Sequence, residues 1–121
     1  MIDAFDLARA VAAYGLATSL PLAPVDDATL DALLALAQNH RLMGLLAATI
    51  DDGAMPVTAA QRERVVGWVR QWHTNEVRVE RVLLQVHDAL DGIPHAVLKG
   101  ASAAHRWYPD PSWRSFGDVD V

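Results

Sequence analysis

The chain contains no cysteine. Disulfides, thiolate nucleophiles and cysteine-type zinc sites are therefore excluded. It has no apolar run near the roughly 20 residues that a membrane span needs. It has no basic surplus: the formal net charge is −5, which argues against a nonspecific nucleic-acid binder. The N-terminus carries Asp3 and Asp6 and no basic start before its alanines, so it makes a poor signal peptide. Cytoplasm is the default location. Internal repeats and low-complexity tracts are absent beyond an alanine bias. The five histidines, His40, His73, His87, His95 and His105, show no close ligand spacing and read as helix-surface or capping residues.

What is present is a globular composition. Of the 121 residues, 52% are hydrophobic and 21% charged, enough for one core. Much of the apolar fraction is alanine, which favours helix. The expected class is mainly α, with a small α+β end.

Asp3 to about Ala17 reads as a first helix, with Phe5, Ala8, Ala12 and Leu16 near helical spacing. Leu7, Val11 and Tyr14 widen its apolar face. Gly15 and Thr18-Ser19 mark its fraying end, and Pro21 and Pro24 make a linker. A second helix starts at Asp26 or Asp27 and buries Leu30, Leu33, Leu34 and Ala37. Asn39-His40 breaks it. Arg41 to Ile50 forms a third helix, closed by Asp51-Asp52-Gly53.

Thr58-Ala59-Ala60-Gln61 has the form of a capping box. From there Val65, Val69, Trp72, Glu76, Val79, Leu83, Val86 and Leu90 step by four and three, a heptad stripe with one polar member. Asp91-Gly92 stops this long helix. Packing on the first three helices as a bundle is favoured over a dimer seam, because those helices also carry apolar stripes. Glu76 is expected near an edge or paired with an arginine or histidine.

After Gly92 the pattern changes. Ala96-Val97-Leu98 reads as a buried strand, Lys99-Gly100 as a turn, and Ala101 to about Arg106 as a short helix. Pro109-Asp110-Pro111 is a fixed loop, and Asp118 to Val121 begins a second strand. On a strand Asp118 and Asp120 share one face, and Val119 and Val121 turn to the core. Two carboxylates on one face call for a cation, and Mg²⁺ binds through one or two carboxylates plus water and phosphate. Gly100 admits a close approach, and the N–H groups opening the next helix favour an anion. Together they suit a nucleoside triphosphate beside a metal.

Val97-Leu98-Lys99-Gly100-Ala101, Tyr108-Pro109-Asp110-Pro111, Arg114 and Gly117-Asp118-Val119-Asp120-Val121 resemble the nucleotidyltransferase family of the polymerase-beta-like superfamily, in its subgroup with a leading helical region and a Leu-Lys-Gly turn. The resemblance implies a helical domain over 1–92 and the first strand-turn-helix-strand of a catalytic domain over 93–121. It implies Mg²⁺ held by Asp118 and Asp120, and nucleotide phosphates met by Lys99, Gly100, Ser102 and Arg114. The implied reaction moves a nucleoside monophosphate from a triphosphate to an acceptor hydroxyl and releases pyrophosphate. Two departures are visible. The superfamily's Gly-Ser turn is Gly100-Ala101 here, with Ser102 one place later. The family's third carboxylate lies on a later strand, so a longer parent protein is expected, with little activity in these 121 residues alone. The competing reading is a non-catalytic helical interaction module or homodimer built on the long helix.

Overall fold

The computed structural model describes residues 2–121. Five α-helices and one 3₁₀ turn account for its regular structure: α1 (Ala4–Ala12), α2 (Asp27–Asn39), α3 (Met43–Asp51), α4 (Ala59–Ala89), α5 (Gly100–Trp107) and the turn Pro111–Trp113. The chain is mainly helical.

Helix α1 is shorter than its spacing suggests. Asp3 caps it by accepting from the Asp6 N–H. It ends at Ala12, and the Thr18 hydroxyl returns to donate to the Ala10 carbonyl. Leu7, Ala8 and Val11 are buried, whereas Phe5 and Leu16 are exposed. Tyr14 leaves the helix, and its hydroxyl donates to Asp52 at the end of α3.

Helix α2 follows the sequence closely. Asp26 caps it through the Thr29 N–H, and Leu30, Leu33, Leu34 and Ala37 are its buried stripe. Its end is a tight reversal in which the Leu42 N–H reaches the Ala37 carbonyl and the Arg41 N–H reaches Gln38. That 6→1 and 5→2 pairing is a Schellman motif. Arg41 takes the left-handed position at φ 58°, usually a glycine's. The reversal drops the chain directly into α3, nearly all of whose residues are buried.

The capping box on α4 is formed. The Thr58 N–H donates to Gln61 Oε1 at 3.0 Å, and the Gln61 N–H donates to Thr58 Oγ1 at 3.2 Å. The buried Gln61 amide also donates to the Val25 carbonyl and to Asp27. One side chain thus fixes the start of α4 to the start of α2. With 31 residues, α4 is about 46 Å long. Every member of its heptad stripe is buried or half-buried.

That stripe serves two cores. Val65, Val69 and Trp72 pack into the main core with α1, α2 and α3. Val79 and Leu83 pack against a second cluster of Ala101, Ala104 and Phe116. The bundle expected for the whole of α4 therefore covers its first half, and the segment after Gly100 covers the stretch around Val79 and Leu83. The two are tied by residues 110–116. Trp113 packs on the main core and on Tyr14, with ring centroids 5.6 Å apart. Phe116 packs in the second. Gly44 makes this crossing possible: a Cβ there would run into the Ser112 carbonyl and lie 2.8 Å from Trp113 Cα.

The two expected strand segments meet at one antiparallel bridge, Leu98 with Asp120. The Leu98 N–H donates to the Asp120 carbonyl at 2.8 Å. Leu98 and Val121 are exposed rather than buried. A lone two-stranded pairing with no layer over it does not extend further.

Candidate active site at the start of α5

The corner from Leu98 to Asp120 is held at three points. The first is the Leu98–Asp120 bridge. The second is Phe116, which is buried and sits against Gly100: a Cβ on Gly100 would lie 3.2 Å from Phe116 Cβ and 3.6 Å from the Asp118 carbonyl oxygen. The missing side chain of Gly100 therefore serves the packing of Phe116. The third is Lys99, whose ammonium stands 3.4 Å from Asp120 Oδ2.

Lys99 precedes α5 with φ 54° and ψ −142°. An L-residue rarely adopts this backbone, which costs about 1–3 kcal/mol and persists only where the surroundings enforce it. Here the enforcement is local. Leu98 is pinned to Asp120 on one side, and Gly100 is clamped under Phe116 on the other. The turn leads into α5, whose opening N–H groups lack partners within the helix, two residues after the Leu98–Asp120 bridge.

Among the expected site residues, the structure thus brings Lys99, Gly100, Asp118 and Asp120 together. Asp118 is exposed, and Asp120 is partly exposed. Ser102 is half-buried within the first turn of α5. Arg114 is turned inward along its own segment, its guanidinium donating to the Ser115 carbonyl at 2.6 Å. His105, further along α5, reaches across to Glu80 on α4 at 2.9 Å.

Asp118 and Asp120, at i and i+2, match in number and type the one or two carboxylates that Mg²⁺ takes from a protein. Among the described residues no group of three His, Cys, Asp or Glu side chains gathers into a ligand set. No helix of the described residues is long and apolar enough to cross a membrane.

A family model described as an uncharacterised nucleotidyltransferase matches residues 26–121. The chain belongs to that nucleotidyltransferase family. No curated protein and no solved structure matches it. The family match spans α2 to the Asp118–Asp120 segment, so helices α2 to α5 and the corner lie within the matched stretch together.

Glu76 is the residue whose environment sequence spacing did not anticipate. It is 8% exposed and pairs with neither an arginine nor a histidine. Burial pushes its carboxyl up to about 7; the nearby Ser115 hydroxyl offsets part of that rise, and the negative charge of Glu80 adds to it. A cavity of about 330 Å³ opens beside it, lined by His73, Glu80, Asp110 and Phe116 among others. A polar residue inside an otherwise apolar heptad stripe is the signal that marks it. Asp110 is held below the usual carboxylate range by hydrogen bonds from Ser112. His87 and His95 also meet, ring nitrogen to ring nitrogen, at 3.0 Å. Their separation along the chain conceals that contact.

Proposed function

We propose that the Leu98–Asp120 corner is the nucleotide-and-metal end of a site for Mg²⁺-dependent nucleotidyl transfer. The observation that supports this reading is the strained Lys99 turn immediately before α5, whose ammonium stands 3.4 Å from Asp120 Oδ2. Asp118 and Asp120 would hold Mg²⁺, which when bound would neutralise charge on the triphosphate and ease departure of the leaving oxygen. Lys99 balances Asp120 in the free protein and turns to phosphate oxygens in the bound one. The N–H groups of Gly100, Ala101 and Ser102 add the positive end of the α5 dipole. Arg114 braces the segment that carries the two aspartates. Residues 1–92 act as the helical platform, and 93–121 carry the nucleotide-and-metal corner.

In the reaction the acceptor hydroxyl oxygen bonds to the α-phosphorus, and the bond to the bridging oxygen breaks. Pyrophosphate leaves with the electron pair, and the hydroxyl proton passes to water. The direct test is calorimetric titration of the chain with MgATP and MgGTP. Binding that Asp118→Asn or Asp120→Asn removes supports the assignment. Binding unaffected by either substitution sinks it.

One feature favours a second reading, an interaction module. An apolar groove of about 560 Å³ runs between α3 and α4, floored by Ile50, Val65 and Val69. Val77 and Leu84 on α4 are 66% and 63% exposed. Light scattering across a concentration series separates the two: a dimer lost in Val77→Glu, with no MgATP binding, favours the module.

A further inference from the structure

Glu76 stands where its stripe asks for an apolar side chain. Leucine there would fill the same face without an ionisable group, and burying a carboxylate without a partner is costly. Its environment is therefore informative. Oε1 of Glu76 and Oγ of Ser115 are both buried, and neither has a hydrogen-bond partner among the described residues. The Ser115 hydroxyl lies near enough to influence the carboxyl group, yet no well-formed bond joins them. Two polar groups face each other inside a packed boundary, between α4 and the segment that leads to Asp118.

That segment has few other anchors. Ser115 is 1% exposed and Phe116 2% exposed. Gly117 and Asp118 are exposed, and the next fixed point is the Leu98–Asp120 bridge. Whatever seats Ser115 also sets the height at which the chain leaves the core after Phe116, two residues before the first carboxylate. Phe116 transmits the same position to Gly100, whose Cα face it fills.

We infer that Glu76 is a positioning residue for the Asp118–Asp120 segment: it seats Ser115 against α4, and Ser115 with Phe116 fixes where the two carboxylates stand. This rests on the reading of Asp118 and Asp120 given above. A neutral Glu76 carboxyl can donate to Ser115 Oγ and draw the segment inward. An ionised one must take Ser115 as donor or draw in water from the neighbouring cavity. The groups around it are His73 and Glu80 on α4, Asp110 from the loop, His105 reaching Glu80 from α5, and Arg114 on the Ser115 carbonyl.

The test uses the full ¹⁵N-labelled chain, its Ser115–Asp120 amide resonances followed from pH 5.5 to 8.5, with Mn²⁺ as the metal probe. In the wild type, Ser115, Phe116, Gly117 and Asp118 move together with one midpoint, near the value of Glu76. Glu76→Gln removes that titration, holds the resonances at their low-pH positions and keeps Mn²⁺ affinity close to wild type. Glu76→Leu keeps its helical circular dichroism, displaces the same amides and weakens Mn²⁺ binding roughly tenfold, the usual cost of losing an outer support to a metal ligand. Amides that stay in place in Glu76→Leu overturn the inference. So does a titration that survives in Glu76→Gln, which would belong to another group. If Glu76→Leu does not fold, Ser115→Ala takes its place and must shift the amides of 116–118 and move the Glu76 midpoint; unchanged values overturn the inference. Amides that respond in a wild type without Mn²⁺ affinity sink the metal reading and leave the positioning intact. Equal Mn²⁺ affinity in wild type and Glu76→Leu does the reverse.

Discussion

A single methyl group decides whether α3 can lie against the backbone at Ser112–Trp113. At Gly44 a Cβ meets the Ser112 carbonyl oxygen and Trp113 Cα, both backbone atoms that cannot swing aside. Gly44→Ala must therefore push the 110–116 crossing off the main core and loosen Trp113 from Tyr14. The expected loss is on the order of 2–4 kcal/mol, measured by urea denaturation, and a neutral result would show that the crossing is not tightly packed. Lys99 is the opposite case. Its φ of 54° is a conformation that glycine accepts freely, while its exposed ion pair with Asp120 contributes less than about 1 kcal/mol. Lys99→Gly is expected to stabilise the chain by about 1 kcal/mol and to weaken MgATP binding. Stability gained together with undiminished binding would remove Lys99 from the phosphate role. Neither property was legible from local sequence. Gly44 sits in the apolar run Met43-Gly44-Leu45-Leu46, which gives no hint of its distant partner. The Leu98-Lys99-Gly100 motif located the turn, but the glycine-like backbone falls on the lysine, because Gly100 is committed to Phe116.

Among the elements, α4 shows what periodicity can and cannot specify. Its capping box and its heptad face followed from side-chain chemistry within a few residues, and both are present. Its division between two cores did not, because a stripe states which face is covered and not by what. Gln61 illustrates the gap. Sequence assigned it the capping role, and the fold adds donation to Val25 and Asp27. Gln61→Leu should remove the cap and strand the buried Val25 carbonyl, at a cost of roughly 2–3 kcal/mol. Amide exchange should then quicken at the starts of both α2 and α4. Faster exchange at α4 alone would mean that the bond to Val25 contributes little. The expected strands at 96–98 and 118–121 were the weakest inference for a related reason. Alternating valines indicate a half-buried strand only if something covers them, and among the described residues Leu98 and Val121 meet solvent.

For the whole molecule, the dependence of stability on pH follows from groups that the two cores hold unequally. Glu76 has its carboxyl raised from 4.5 to about 7 in the folded chain. The folded state therefore binds more protons than the unfolded state between those values, and stability falls as pH rises through that window. The contribution is full below about 4.5, declines up to and just beyond 7, and changes little above 8. Its size is on the order of 1–3 kcal/mol. Asp26 and Asp110 act in the other direction. Both are lowered from 3.8, Asp26 by the Thr29 amide and Asp110 by Ser112. Their stabilisation is present above that value and is lost as pH drops through their folded range. Tyr14, raised above 10 by its bond to Asp52, acts only in strong base. Glu76 therefore lowers stability as pH rises through its window, and Asp26 and Asp110 lower it as pH falls into acid. Urea midpoints at pH 5, 6, 7 and 8 should decline steadily in the wild type and stay level in Glu76→Gln, which becomes the more stable of the two at pH 8. Parallel curves would mean that Glu76 is hydrated in solution, and that the boundary between α4 and Ser115 is open to water.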